Sequence, residues 1–439
     1  MDLQGKKLLL MGGTAYLQSL KKYSLEQGFS MIGVGRNTVP YAGICEKAYA
    51  VDTQDVEAVV EVVRKEHCNG IFVGASEVNI IPAMEVARIA GIHFYTDKKL
   101  WDALANKRSF KNLLQKHGIG TTKEFHVTKE FSEEDLSAIE FPVIIKPVDG
   151  SGARGISVAH NIEELKKGYL RACSVSWTGT AVVEKYITGM DDMFIHYTIM
   201  DGQYSLACTF DRHLNYSQGG FTGMAVGYTY PSVYTSQFVN LVDEKMQEAF
   251  HEVGIQNGAI NIQCFTDGKV FYFYEAGYRL GGEQMYFFTE QLNKINVLEL
   301  IVNQALTGKM ADSSDELKKD DPFFKKPCLS YYIPLKPGTI TTISGVEEVR
   351  AMEGILNVTR FCDVGDVITE DGSLSQVCLR MHLMAENVEA LAQLVDQVNT
   401  KLHILDENGN DMMLEKLEFR NLPYYREYDS LKKQRGEIQ

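Results

Sequence analysis

The first apolar run, residues 6–11 (KLLLMG), is short and unbroken and runs into Gly12-Gly13. An amphipathic stretch, AYLQSLKKYSLEQG, follows. Then come a second apolar run, FSMIGVG, and a third, GIFVGAS, with a helical segment between them. Strand-length apolar runs alternating with helical periodicity predict a parallel sheet. Glycines at the strand ends predict a ligand at its carboxyl edge. Residues 98–117, KKLWDALANKRSFKNLLQKH, read as one helix stopped by Gly118. Strands are expected at 142–147, at 180–187 and, by alternation, across 192–211 and 258–276. Helices are expected at 161–172, 236–253 and 289–308. The Gly-, Ser- and Tyr-rich stretch 213–232 reads as a long loop. The charged, proline-bounded segment 311–327 reads as a linker. Beyond it, 328–425 reads as a smaller α+β unit carrying one strong helix, VEALAQLVDQVNTKL, and the charged tail after about 425 reads as frayed. The class is α/β: a parallel-sheet domain over 1–105, a central domain over 106–310, and the C-terminal α+β domain.

Composition narrows the function classes. Hydrophobic residues make up 45% and charged residues 23%, which suits a sizeable globular core. The formal net charge of -14 argues against general affinity for nucleic acid or anionic membranes, both of which are held through basic surface. No apolar stretch approaches the ~20 residues of a membrane span, and KKLLLMGG is too short for a signal peptide. Eight scattered cysteines with no C-x-x-C spacing read as reduced thiols of a cytoplasmic protein.

Four stretches carry candidate chemistry. Ile144-Ile145-Lys146-Pro147 delivers a lysine beside the loop Asp149-Gly150-Ser151-Gly152-Ala153-Arg154-Gly155. Glycines let backbone N–H groups converge on an anion, and the lysine supplies countercharge, so the pair is a candidate phosphate cradle. The Walker pattern is absent, and G-x-G-x-x-G is absent after the first strand, which counts against dinucleotide binding. Gln263 and Glu275 flank CFTDGKVFYFY, whose Asp267-Gly268 signals a hairpin. Paired at its ends, they would offer two oxygens to a hard cation. Arg279 can neutralise a phosphoryl group or clamp a carboxylate. Val182-Val183-Glu184-Lys185-Tyr186-Ile187 is an apolar strand edge, and Lys107 lies on the preceding helix.

The order of these elements resembles the ATP-grasp superfamily over about residues 1–310, in the branch of biotin carboxylase and carbamoyl-phosphate synthetase. The resemblance implies a pre-ATP-grasp domain followed by a two-lobed ATP-grasp domain, with the glycine-loop lobe at about 118–183. It implies that Lys107 and Lys146 touch ATP phosphates and that Gly150, Ser151, Gly152, Ala153 and Gly155 close over them. Glu184, Lys185, Tyr186 and Ile187 would read adenine. Asp192, or Asp191, would bind ribose. Gln263 and Glu275 would hold Mg²⁺, and Arg279 the acyl phosphate, so that Arg279, Lys146 and Glu275 form the catalytic set. Two positions depart from the pattern: Gln263 stands where an acid is usual, and Gly277 where E-x-N-P-R has asparagine. The C-terminal unit, with LKPGTI and DVGDVI, is similar to that of L-amino-acid ligases and carnosine synthase. Asp211, Arg212 and His213 then become candidate substrate contacts beside Arg279. The implied function is a carboxylate–amine ligase using ATP and Mg²⁺, with homodimers common among relatives. Alternatives are a ligase like glycinamide-ribonucleotide or carbamoyl-phosphate synthetase, or a nucleotide-binding protein with a degenerate metal site.

Overall fold

A computed structural model describes residues 1–148, 155–215, 223–369 and 374–434. Near the N-terminus four strands form a parallel sheet in the spatial order Lys47–Ala50, Ser30–Gly35, Lys7–Met11, Gly70–Phe72. The expected strands are all present, and Lys7–Met11 is buried on both faces. The chain reverses direction across the sheet between Lys7–Met11 and Gly70–Phe72, and the carboxyl ends of such a pair open a crevice. Gly12 and Gly13 both take left-handed backbone there. A Cβ on Gly12 would meet Asn79 Nδ2 at 2.9 Å, so glycine lets Asn79 donate to the Met11 carbonyl at 2.6 Å.

The second sheet has eight strands, in the order Phe271–Gly277, Gly258–Thr266, Asp191–Met200, Gln203–Asn215, Met224–Tyr230, Cys328–Pro334, Val377–Met384, Ile355–Arg360. The Asp267-Gly268 hairpin forms, with Gly268 at φ 82 and Asp267 Oδ1 accepting from the N–H groups of Lys269 and Val270. Chain from 328 onward supplies three strands of this same sheet, so the C-terminal unit shares its hydrogen-bond ladder with the central one. A third sheet, Glu124–Phe125, Ala181–Lys185, Val143–Pro147, Ser157–Ala159, makes a small lobe with its own core around Val143, Ile145, Leu165 and Val183.

Four expectations about elements change. The single helix over 98–117 is two, Lys98–Ala105 and Lys107–Lys116, because Asn106 turns extended and its side chain accepts from the N–H groups of Arg108 and Ser109. A good N-cap inside a helical pattern starts a new helix. The helix over 289–308 likewise splits into Tyr286–Asn293 and Val297–Thr307, with Lys294 left-handed and Asn296 capping. Within 213–232, strand runs to Asn215 and resumes at Met224–Tyr230, and residues 216–222 lie outside the described ones. The tail is not frayed over 423–434. It forms the helix Pro423–Gln434, which buries Tyr424, Tyr428 and Leu431 on one stripe.

Candidate active site

The hairpin Gly258–Thr266/Phe271–Gly277 sets the site. Gln263 pairs directly with Glu275, and Asn261 pairs with Gly277. A bulge follows: Cys264 pairs with Phe273, leaving Tyr274 as the extra residue. A bulge breaks strict alternation, so neighbouring side chains can serve one face. The Tyr274 hydroxyl lies 2.9 Å from Gln263 Oε1 and 3.0 Å from Asp192 Oδ1. It can donate to only one of them. Turning the Gln263 amide so that Nε2 donates to the hydroxyl satisfies both contacts and releases Oε1.

Around this hairpin the expected residues converge. A small cavity is lined by Phe194, Asn261, Gln263, Glu275, Gly277, Arg279, Gly281 and Glu283. Lys107, buried on its helix, stands 3.7 Å from Glu275 Oε1. The Lys146 ammonium lies 5.2 Å from the centre of the Tyr274 ring and pairs with Glu184 at 2.6 Å.

Other expected residues sit elsewhere. Glu184 is fully buried between Lys146 and Lys111, the latter at 2.7 Å. Burial raises its pKa, but the two ammonium groups more than offset this and hold it down to about 2. The Lys185 ammonium donates to the carbonyls of Glu140 and Phe141. The N–H groups of Lys185 and Tyr186 are taken by the carbonyls of Lys123 and Pro142. Ile187 follows on directly, past the end of the strand Ala181–Lys185. Asp192 is buried and paired with Arg212, whose guanidinium lies over the Phe194 ring, while Asp191 accepts from the Tyr234 hydroxyl. Strand alternation separates the three residues Asp211, Arg212 and His213. Arg212 faces the site. Asp211 points away and accepts from Ser232 Oγ and the Val233 N–H, with burial raising its pKa to about 7. His213 is paired with Thr229 Oγ1, and burial lowers its pKa to about 4. Asp211 therefore anchors the turn at Ser232-Val233 and His213 a cross-strand contact to Met224–Tyr230, and neither lines the cavity. Gly150, Ser151, Gly152, Ala153 and Arg154 lie outside the described residues; Gly155 is left-handed, at φ 77.

Several site residues escaped the sequence reading. Asn261 Nδ2 donates to the Arg279 carbonyl at 2.7 Å, so its Oδ1 must be the acceptor for His196 Nδ1, at 2.6 Å. His196 is thus a neutral Nδ1–H tautomer, consistent with burial lowering its pKa to about 4. Tyr95 and Tyr16 donate to the carbonyls of Tyr278 and Gly281, at 2.9 and 2.6 Å. Glu77, just past the parallel sheet, accepts from Arg279 Nη2 at 3.2 Å. N-x-Q at 261–263, two residues apart on a strand, was the available signal for Asn261. The rest needed tertiary contacts.

Residues 106–299 match the family model of the carbamoyl-phosphate synthase L chain, ATP-binding domain. The chain carries an ATP-grasp domain. A curated relative of this chain is the formate-dependent phosphoribosylglycinamide formyltransferase of Ignicoccus hospitalis, 23% identical over 42% of this chain and 46% of that one. The chain spans under half the length of the curated relatives it matches. Its fold is that of the L-amino acid ligase of Bacillus licheniformis, with TM-score 0.74 at 20% identity over 92% of this chain and 100% of the other. The biotin carboxylase of Campylobacter jejuni, solved with β-γ-ATP, gives TM-score 0.75 at 18% identity over 97% of each chain.

The donor set suits a hard cation. The cavity offers carboxylate and carboxamide oxygens and no sulfur or imidazole. Among the described residues no group of three or more His, Cys, Asp or Glu is gathered as a cage. A cation here would draw part of its shell from water or phosphate oxygens, as Mg²⁺ does.

Proposed function

We propose that the protein is an ATP-dependent carboxylate–amine ligase that joins an amino acid or small carboxylic acid to an amine. The single observation that carries this reading is the gathering of Gln263, Glu275 and Arg279 around one cavity, with Lys107 beside Glu275 and Lys146 over the neighbouring Tyr274 ring. Phosphoryl transfer asks a protein for positioning and charge neutralisation rather than covalent chemistry. In the proposed reaction the substrate carboxylate attacks the γ-phosphorus of ATP and ADP leaves. The amine then attacks the acyl carbon, and phosphate leaves with the C–O bonding pair. Lys107 and Lys146 bind phosphate oxygens. Arg279 holds the acyl group, and the glycine loop 150–155 excludes water. Glu275 and Gln263 would hold Mg²⁺, which supplies charge neutralisation to the phosphates when bound.

No helix among the described residues is long and apolar enough to cross a membrane, and all eight cysteines are free. Free thiols support a reducing, cytoplasmic setting. The test is ADP release from Mg-ATP, scanned against pools of carboxylates and amines. Stimulation by an acid–amine pair supports the proposal. Stimulation by bicarbonate or glycine alone favours a carbamoyl-phosphate- or glycinamide-ribonucleotide-type ligase. Glu275→Gln should fold normally and lose turnover at least 100-fold, the usual order for removing one group that stabilises transition-state charge; full activity in that variant overturns the assignment.

A further inference from the structure

Tyr274 is the extra residue of the hairpin bulge, and the bulge gives Gln263 two neighbours. Unbroken pairing outward from Thr266 and Phe271 would set Gln263 opposite Tyr274. The inserted residue instead sets it opposite Glu275 and keeps the Tyr274 hydroxyl beside it at 2.9 Å. Glu275 thereby lines the cavity with Gln263, while Tyr274 is 7% exposed and does not line it. The direction of the Tyr274 proton is fixed by its other partner. Asp192 Oδ2 takes both contacts from the Arg212 guanidinium, and among the described residues only the Tyr274 hydroxyl donates to Oδ1, at 3.0 Å. Burial raises the pKa of Asp192 and the Arg212 guanidinium opposes it, which keeps a carboxylate there. A carboxylate is the stronger acceptor, and a buried carboxylate oxygen stripped of its donor is costly. The proton therefore goes to Asp192. The hydroxyl oxygen is then an acceptor towards Gln263, which must present Nε2 to it.

We infer that Tyr274 is a positioning residue that holds the Gln263 carboxamide one way round, with Nε2 on its hydroxyl and Oε1 left for a cation in the cavity beside Glu275. The need comes from the chemistry of residue 263. A carboxylate offers an oxygen whichever way it turns. A carboxamide offers one oxygen and one NH2 group, and the NH2 group repels a cation. With nothing to orient it, Gln263 would spend part of its time with the wrong atom in the cavity. The chain Arg212–Asp192–Tyr274–Gln263 removes that freedom, as hydrogen-bonded outer partners do for metal ligands in general. The Tyr274 ring is itself held, stacked on Phe265 at 4.8 Å and with the Lys146 ammonium 5.2 Å from its centre. A phenylalanine at 274 would keep both ring contacts and lose only the hydroxyl.

The inference rests on the Mg-nucleotide site of the ligase reading, and the experiment separates the two. ADP binding is measured by calorimetry over a Mg²⁺ series, with EDTA as the metal-free limit, so neither turnover nor a known substrate is needed. Wild type, Tyr274→Phe, Gln263→Glu and the double variant are compared. Tyr274→Phe should raise the half-saturating Mg²⁺ concentration by about 10-fold or more, the usual loss when an outer partner of a metal ligand is removed. Its ADP affinity in EDTA should be unchanged, which also reports that the variant is folded. In the Gln263→Glu background the same change should shift the Mg²⁺ requirement by less than about threefold, since a carboxylate needs no orienting. An equal shift in both backgrounds, or none in either, overturns the inference alone: the hydroxyl then acts through packing or not at all. Wild-type ADP binding that Mg²⁺ does not strengthen removes the metal site from the ligase reading and the inference with it.

Discussion

Glu184 shows how one buried carboxylate organises its surroundings. An unpaired carboxylate at zero exposure would be very unfavourable, so two lysines meet it from different elements, Lys111 on a helix and Lys146 on a strand. Lys107 and Lys111 are four residues apart on one helix face, yet one reaches Glu275 and the other Glu184. Lys111→Met should destabilise the protein by about 3 kcal/mol, near the low end for stripping a partner from a buried charge because Lys146 remains. Denaturant unfolding at pH 7 measures this. The pH dependence has a defined sign. Glu184 is depressed in the folded state, so its contribution is present above its ordinary pKa of 4.5 and is lost as pH falls towards about 2. The gap between wild type and Lys111→Met should therefore narrow across that window. In sequence, Glu184 stood in an apolar strand with nothing to say that both lysines would find it.

The hairpin and the helices around it carry the next level of specification. The hairpin itself was readable because Asp267-Gly268 signals the turn; its register at the site was not, since unbroken pairing outward from Thr266 and Phe271 would set Gln263 opposite Tyr274 rather than Glu275. The bulge at Tyr274 was not readable, since an aromatic run looks alike with or without an extra residue. Packing of the parallel sheet on the helix Val297–Thr307 was equally silent in sequence. Gly70 lies so close to that helix that a Cβ would come within 2.1 Å of the Ala305 carbonyl oxygen. Two backbones would have to move apart. Gly70→Ala should lower stability by at least about 1–3 kcal/mol, the range for overpacking, with the KM for ATP unchanged in the fraction that folds. Thermal unfolding followed by activity at low temperature checks both parts.

Across the whole molecule, the eight-stranded sheet ties the chain's C-terminal quarter to the site. Arg380 donates to the Gly282 carbonyl and to Gln284 Oε1, and His382 Nε2 lies 2.8 Å from the Glu283 carbonyl. These contacts fix the backbone that carries Glu283 into the cavity. Ending the chain at residue 327 would strip the partner strand Cys328–Pro334 from the edge of Met224–Tyr230 and remove this clamp. A fragment 1–327 should aggregate, since a long apolar edge pairs with other chains; a monodisperse, folded fragment by size-exclusion chromatography would contradict this. By itself the sequence determined the strand–helix alternation and the Asp267-Gly268 hairpin. Each of these follows from local backbone preference or from short spacing along the chain. Tertiary structure alone decided that Asp211 and His213 turn away from the cavity, that Glu184 lies between two lysines, and that Glu77 reaches Arg279 from 202 residues away. Those facts depend on burial and on which distant groups meet, and neither is encoded in the neighbours of a residue.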